Sequence, residues 1–246
     1  MALGLTFIAG ACLLLGILLS LIGKDKQKLS KFVTGLAFTI LLGMIILDLI
    51  PEMLEHLESE NFWYRTFRIV ICLALGMGVF KILDKFIPHH HEHNNMDDTN
   101  HLFHIGIITS IAIIMHNIIE GIAIYSISLY DIKTGIFMCL GVALHNIPLG
   151  AQIGSSIRGQ RGKIATKCTM IILLTLSTTF GAAFLKFSNM QIDDILLGTL
   201  ITITLGMVIY LTVFELLKEL IEHRNDKYTL IGAVVGIVII AVSLIV

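Results

Sequence analysis

Two short polar motifs lie inside long apolar stretches of this 246-residue sequence. The first places His116 and Glu120 four residues apart, which puts an imidazole and a carboxylate on one face of a helix. The second supplies His145. Imidazole nitrogen and carboxylate oxygen together suit Zn(II) and neighbouring divalent transition metals. Because ionisable groups in apolar helices normally face a bundle interior or a cavity, we predict a metal site between the two helices.

An asparagine follows each of these histidines and extends both motifs. Asn117 and Asn146 can each add an amide oxygen beside the predicted site. Pro148 has no N–H to donate to an earlier carbonyl, so we expect a kink beside His145. The alternative is that the histidines only form hydrogen bonds within the bundle. Two His-Asn pairs, one of them with a glutamate on the same helical face as its histidine, favour the metal site over that alternative.

The composition is that of a polytopic membrane protein. Hydrophobic residues make up 56 % of the chain and charged residues only 14 %, against about 25 % charged in an average globular domain. Apolar runs of about 20 residues are long enough to cross a membrane. They predict eight transmembrane helices in an all-α fold: Leu3 to Ile22, Phe32 to Leu54, Phe67 to Ile87, Leu102 to Leu129, Gly135 to Ile157, Cys168 to Leu185, Ile195 to Leu217 and Tyr228 to Val246.

We therefore expect one transmembrane domain over residues 1–246 and no separate soluble domain. Helices one to three occupy 3–87, a His-rich cytoplasmic loop 88–104, helices four and five 102–157, and helices six to eight 168–246. The formal net charge of -1, without a basic tract, argues against a nucleic-acid partner. The bilayer and divalent metal ions are the expected partners.

The distribution of basic residues predicts the orientation. Thirteen of the 17 Lys and Arg residues fall in the loops after helices one, three, five and seven or at their edges. Basic loops tend to stay cytoplasmic, which places both termini on the extracytoplasmic side of the cell membrane.

Two internal sequence similarities suggest a repeat. His116-Asn117 and His145-Asn146 match at an offset of 29, and Glu52 and Glu215 fall within matching segments at an offset of 163. The second similarity indicates that the helices are arranged as three, two and three, with helices one to three repeated as helices six to eight. Because three is an odd number, the second copy would be inverted in the membrane, as in many secondary transporters.

The motif His116-Asn117-x-x-Glu120-Gly121, followed by His145-Asn146-x-Pro148-x-Gly150, resembles the paired metal-site signature of the ZIP (Zrt/Irt-like protein) divalent metal transporters. Asp48-Leu49-Ile50-Pro51-Glu52 also resembles the family's His-x-x-Pro-Glu segment, with Asp48 in the His position. The resemblance implies transport of Zn(II) or a similar divalent metal toward the cytoplasm, through movement of one helix bundle against another.

The resemblance also implies roles for individual residues. His116, Glu120 and His145 would form the main site, and Asn117 and Asn146 would contribute to a second position bridged by Glu120. Two carboxylates of many relatives are absent, because Leu149 and Thr178 stand where those relatives carry Glu. We therefore predict one bound metal rather than a two-metal centre.

Other polar residues are candidates for the metal path or for metal capture. Asp48, Glu52 and Glu215 lie within or at the end of apolar helices, so we predict that they line the path. The tract between helices three and four is rich in histidine and is expected to capture or sense metal on the cytoplasmic side. Its adjacent histidines are His89, His90, His91 and His93.

Two rival functions remain open from the sequence. A metal-binding regulator, or a pseudo-transporter with a degenerate site, would explain the missing carboxylates. An intramembrane metalloenzyme is less favoured, because the His-Glu-x-x-His spacing of zincins is absent and no general base stands out. Small-residue faces such as Gly76-x-Gly78 could pack helices closely, and a homodimer is one assembly they allow.

Overall fold

Helices account for nearly all of the chain that the computed structural model describes, namely residues 1–22, 25–86, 98–158, 164–188 and 193–243. No strand occurs within these ranges. The α-helices are α1 (Ala2–Ile22), α2 (Lys26–Met44), α3 (Ile50–His56), α4 (Phe62–Phe86), α5 (Asp98–Tyr130), α6 (Ile132–Arg158), α7 (Ile164–Ser188), α8 (Asp194–Tyr210), α9 (Leu217–Glu222) and α10 (Lys227–Ser243). Two π-helical segments, Ile45–Leu49 and Leu211–Leu216, join α2 to α3 and α8 to α9.

Six helices among the described residues are long and apolar enough to cross a membrane. They are Ala2–Ile22, Gln27–His56, Ser110–Tyr130, Ile132–Ser155, Lys167–Ser188 and Asp194–Glu222. α10 is a shorter apolar helix, and α4 is not among the six. The predicted all-helical, multi-pass membrane architecture is thus confirmed, with six candidate spans rather than the eight expected.

Several helices begin earlier than the apolar runs predicted. α4 begins at Phe62 rather than Phe67, because the Asn61 side chain accepts a hydrogen bond from the Trp63 N–H at 3.1 Å and caps the first turn. α5 begins at Asp98, ahead of the predicted Leu102, so the backbone is helical over part of the segment that was expected to be a loop. A prediction based on apolar runs places a helix start too late when the first turn of the helix is polar.

The two π-helical segments were not predicted. In the first, the Ile50 N–H donates to the carbonyl of Ile45, five residues earlier, just before Pro51. In the second, the Leu217 N–H donates to the carbonyl of Thr212. Pro148, by contrast, lies inside the continuous helix α6, so its predicted kink stays a prediction. Such π turns often mark functional sites, and the first one contains Asp48.

Helices α1, α5, α6 and α7 pack against one another, and the pairs α2–α10 and α4–α8 flank them. Glycines set the close crossings. A Cβ at Gly121 would collide with the carbonyl oxygen of Thr178, and one at Gly181 with that of Ile118. Gly16 and Gly150 form a similar reciprocal crossing between α1 and α6. These approaches hold α5 and α6 at the centre of the molecule.

An ion pair fixes the start of α10 against α2. Lys31 Nζ lies 2.8 Å from Asp226 Oδ2. The hydrogen bond from Lys31 lowers the pKa of the Asp226 carboxyl, and the backbone N–H of Tyr228 donates a further hydrogen bond to it. The turn between α9 and α10 is therefore tied to the N-terminal end of α2.

Candidate metal centre

His116, Glu120 and His145 meet in a buried cluster between α5 and α6. The Nε2 atom of each histidine lies 2.8 Å from the same oxygen, Oε1 of Glu120. His145 makes a hydrogen bond there, whereas His116 is equally close but not aligned for one. The two imidazole rings are tilted by 42° with centroids 5.9 Å apart. The structure therefore brings together the three residues that the two motifs indicated.

The chemistry of this cluster fits a divalent transition metal. One ligand atom from each residue lies within 4.8 Å of the other two. Zinc binds imidazole nitrogen and carboxylate oxygen at about 2.0–2.2 Å, so small side-chain rotations would place the three atoms around one ion. His116 is 2 % exposed and Glu120 7 %. Such burial is costly for a carboxylate without a cationic partner.

Asn117 and Asn146 are fixed beside this cluster by hydrogen bonds to neighbouring helices. Asn117 Nδ2 donates to the carbonyl of Leu174 on α7 at 3.5 Å, and Asn146 Nδ2 donates to that of Ala9 on α1 at 3.1 Å. Both asparagines are fully buried. Their side chains therefore connect the central helices to α7 and α1.

A cavity of about 510 Å³ leads to the cluster. Its lining includes Asp48, Glu52 and Glu55 from the first π segment and α3, and Glu120 and His145 from α5 and α6. A second void of about 10 Å³, close to the size of one water molecule, lies between Glu52, His116 and Glu120. The metal ligands are thus reachable through an opening rich in carboxylates.

The remaining predicted site residues differ in how the structure places them. Asp48 and Glu52 line the cavity. Glu215 lies in the second π segment, and the described part of the cavity lining does not include it. The tract containing His89, His90, His91 and His93 lies outside the described residues. Gly76 packs against the carbonyl of Ile203 inside the chain, so it does not offer a face to a second copy.

The two positions at which carboxylates were noted as missing are both fully buried. Leu149 lies one helical turn beyond His145 and belongs to the main hydrophobic core. Thr178 faces α1, and its hydroxyl oxygen lies 3.4 Å from where a Cβ would stand on Gly10.

Several lining residues were missed by the sequence analysis. Thr204 borders the small void, and Thr134 and Met138 line the larger cavity. None carries a charge, so nothing in the sequence separates them from packing residues. Only the approach of distant helices brings them to the site.

A multi-pass helical membrane protein with a buried His/Glu ligand cluster at the end of an acidic cavity is of the class that handles metal ions. The ZIP Zinc transporter family model matches residues 90–244. Zinc transporter ZupT of Streptococcus mutans is 26 % identical over 253 residues, which cover 98 % of this chain and 95 % of that protein. Zinc transporter ZupT of Escherichia coli O7:K1 is 26 % identical over 257 residues, with the same coverage.

The chain belongs to the ZIP zinc transporter family. It is thus a multi-pass membrane protein of a divalent-metal transport family, as the sequence motifs predicted. The family consists of transporters, so the metalloenzyme alternative is set aside.

Proposed function

We propose that this protein carries divalent transition metal, with zinc first among the candidates, across the cell membrane toward the cytoplasm. The cluster of His116, Glu120 and His145 is the binding site for the transported ion. The observation that carries this proposal is the approach of the three ligand atoms to within 4.8 Å of one another in a buried position. No other group of three His, Cys, Asp or Glu with this geometry occurs among the described residues.

The carboxylates of Asp48 and Glu52 compensate for those absent at Leu149 and Thr178. Two neutral imidazoles and Glu120 leave a bound dication with one excess positive charge. Asp48 and Glu52 face the same cavity as Glu120 and His145, so they can offset that charge from the opposite wall. Asp48 lies in the π-helical segment that joins α2 to α3, and Glu52 lies in the first turn of α3, so one short stretch of the chain supplies both charges.

The direction of transport is supported by the residues that the cavity lining reaches. The lining includes Glu55 near the end of α3 and Thr134 near the start of α6. In the topology inferred from the basic loops, both helix ends lie on the extracytoplasmic side. His145 is eleven positions after Thr134 in α6, or roughly 16 Å along the helix axis, which is about half of the hydrocarbon core. The site would thus receive ions from outside.

Eight crossings with an inverted repeat form the framework of this proposal. α4 and α10 would complete the six apolar spans, and α1 to α4 would be repeated as α7 to α10. Each half contains one helix interrupted by a π-helical segment. The packing is also consistent with the repeat, because α2 pairs with α10 as α8 pairs with α4, and α1 pairs with α6 as α7 pairs with α5.

The remaining parts of the proposal concern the surroundings. Both termini lie outside the cell, and the tract with His89, His90, His91 and His93 captures metal on the cytoplasmic side. A homodimer stays a prediction.

The test is metal uptake into sealed proteoliposomes over Zn(II), Cd(II), Mn(II), Fe(II) and Co(II). Glu120→Gln should reduce saturable Zn(II) uptake by at least ~100-fold, because it removes the ligand shared by both histidines. Glu222→Gln, at the exposed end of α9, is the matched control and should leave uptake unchanged. Saturable binding without uptake by the unmodified protein would instead identify a metal-binding regulator.

A further inference from the structure

The cavity that leads to the cluster of His116, Glu120 and His145 is larger than the path of a single ion requires. Its volume is about 510 Å³, whereas six waters around a dication occupy roughly 180 Å³ at about 30 Å³ per water. Twelve of its eighteen described lining residues have no nitrogen or oxygen in their side chains. Sites for small organic molecules are clefts of roughly 300–1,000 Å³ with mostly apolar walls and a few polar groups. The cavity therefore has the size and the lining of such a site.

The apolar part of the lining comes mainly from α2, α6 and α10. α6 contributes Phe137 and Met138, and α10 contributes Ile239 and Ile240. Phe137 is 57 % exposed, so the described residues leave much of its ring free for contact with a ligand. Methionine adapts to irregular shapes, because its side chain is unbranched and flexible. These residues form a surface on which an alkyl or aromatic group can bind.

Gly141 leaves open space in this lining, one helical turn from the metal ligand His145. The two residues are four positions apart in α6 and so share a face of the helix. A Cβ at Gly141 would have no atom of another described element within 4 Å. At Gly16 and Gly150, by contrast, a Cβ would collide with the backbone of the neighbouring helix. Gly141 is therefore not needed for close helix packing, and the space beside it can receive part of a ligand.

The charged groups of the cavity attract cations. Asp48, Glu52 and Glu55 come from one short helical stretch, and Glu120 adds a fourth carboxylate from α5. The described lining contains no Lys or Arg. A cleft lined by charges of one sign concentrates ions of the opposite sign, so anionic ligands are disfavoured. A neutral acyl chain would match only the apolar residues, whereas a cation with an apolar body matches both parts of the lining.

We propose that this cavity binds monovalent organic cations that carry an apolar body, such as benzylammonium and alkylammonium compounds. The ammonium group interacts with the carboxylates of Asp48, Glu52 and Glu55. The apolar body lies against Phe137 and fills the space beside Gly141. Quaternary ammonium groups also bind favourably to the faces of aromatic rings, which gives Phe137 a second role.

A bound organic cation occupies the route by which metal reaches Glu120 and His145. It should therefore inhibit Zn(II) uptake competitively, and this consequence rests on the proposed function. Binding of the organic cation itself does not. Because the ammonium group and a dication use the same carboxylates, each weakens the binding of the other by the same factor.

Isothermal titration of the purified full-length protein in metal-free buffer tests the binding. Benzyltrimethylammonium combines a fixed positive charge with an apolar body. Tetramethylammonium has the charge without the body, and N-benzylacetamide has the body without the charge. We expect benzyltrimethylammonium to bind at least ~10-fold more tightly than either, because each of the others lacks one of the two interactions. Equal binding of N-benzylacetamide, or no saturable binding of benzyltrimethylammonium, would overturn the proposal.

Two cavity variants test where the organic cation binds. Gly141→Leu fills the open space and should weaken benzyltrimethylammonium binding by at least ~10-fold. Phe137→Leu adds no bulk at an exposed position and should weaken it by at least ~3-fold, because the aromatic ring is lost. Gly78→Leu is the matched control and should leave it unchanged, since Gly78 also has open space around its Cβ but is absent from the described lining. Normal binding of the organic cation by both cavity variants would overturn the site.

Zn(II) uptake into sealed proteoliposomes separates this inference from the proposed function. External benzyltrimethylammonium should raise the apparent KM for Zn(II) at an unchanged maximal rate, and N-benzylacetamide at the same concentration should not. A lowered maximal rate, or no inhibition at concentrations that saturate the titration, would place the ligand outside the metal route and overturn the inference. If the unmodified protein takes up no Zn(II), the proposed function fails, and the titration still decides on the organic-cation site.

Discussion

At the scale of single residues, the centre depends on one carboxylate oxygen that lies between two imidazoles. Glu120 Oε1 is 2.8 Å from both His116 and His145. A bound ion would replace these contacts with its own bonds to the same three side chains. His116 is buried whereas His145 is partly exposed to the cavity. The two histidines should therefore contribute unequally.

His145→Ala should reduce Zn(II) uptake less than His116→Ala. Water from the cavity can occupy the vacated position at His145, whereas the position at His116 is enclosed by protein. Initial rates of Zn(II) uptake in matched proteoliposomes measure the difference. His223→Ala, in the turn after α9, serves as the histidine control. Equal losses in both site variants would contradict this asymmetry.

Asp48→Asn should weaken Zn(II) binding by about tenfold, as loss of a supporting group near a metal commonly does. Its carboxylate lines the cavity opposite Glu120, and the amide has the same size without the charge. Isothermal titration of the purified protein gives the affinity. Asp194→Asn, exposed at the start of α8, removes a charge away from the cavity and should leave the affinity unchanged. If Asp48→Asn binds Zn(II) with unaltered affinity, Asp48 does not supply the compensating charge.

Leu149→Glu should make the stability of the protein depend on metal. Leu149 is fully buried one turn from His145, so a carboxylate there costs several kcal/mol unless a cation pairs with it. Zn(II) at 100 times its Kd supplies about 2.7 kcal/mol to a folded state that binds it. We expect a lower Tm without metal and a larger Zn(II)-induced increase than in the unmodified protein. A metal-independent loss of Tm would show that this position does not face the ion.

The sequence predicted the cluster because its strongest signals are local. His116 and Glu120 are four residues apart, and helical geometry alone puts them together. His145 lies on another helix, and its place in the site was predicted from the repeated His-Asn motif. The side-chain oxygens of Asn117, Asn146 and Thr178 accept no hydrogen bond from a described residue. This could not be predicted, because it depends on which groups other helices present to these side chains.

At the scale of elements, glycine crossings decide which helices become neighbours. Several close approaches place the backbone of one helix against a glycine of another, as with Gly76 of α4 against Ile203 of α8. Two residues on, Gly78 has no atom of another element within 4 Å of a Cβ. A glycine pattern in the sequence does not separate these two cases. The structure does so, and it shows that Gly76 is used inside the chain.

Gly76→Ala should destabilise the protein by about 1–3 kcal/mol, because the new methyl group would collide with the Ile203 carbonyl. Gly78→Ala should be neutral or stabilising by roughly 0.5–1 kcal/mol, since alanine loses less entropy in a helix than glycine. Thermal unfolding of the two variants in the same detergent provides the comparison. Similar Tm values for both would mean that α4 can move away from α8 without cost.

At the scale of the whole molecule, charge and packing support the same topology. The basic loops predict cytoplasmic ends for α1, α4, α6 and α9. The cavity lining includes Glu55 and Thr134, which lie near the opposite helix ends. Among the described residues, apolar length alone supports six spans, which do not include α4 or the shorter helix α10. The packing of α4 on α8 and of α10 on α2 gives both helices places beside long spans.

Two exposed asparagines in turns on opposite sides of the proposed membrane provide the test of this topology. Asn61 follows α3 and should face outside, whereas Asn225 follows α9 and should face the cytoplasm. A background with Cys12→Ser and Cys168→Ser removes the partly exposed and the exposed native cysteine, and Cys72 and Cys139 are buried. A membrane-impermeant maleimide should therefore label Asn61→Cys in intact cells. Asn225→Cys should be labelled only after the membrane is opened, since its thiol lies on the inner face. The reverse labelling pattern would show that the protein has the opposite orientation in the membrane, which would also reverse the proposed direction of transport. Labelling of both cysteines from outside would show that an even number of crossings separates the two positions, rather than an odd number.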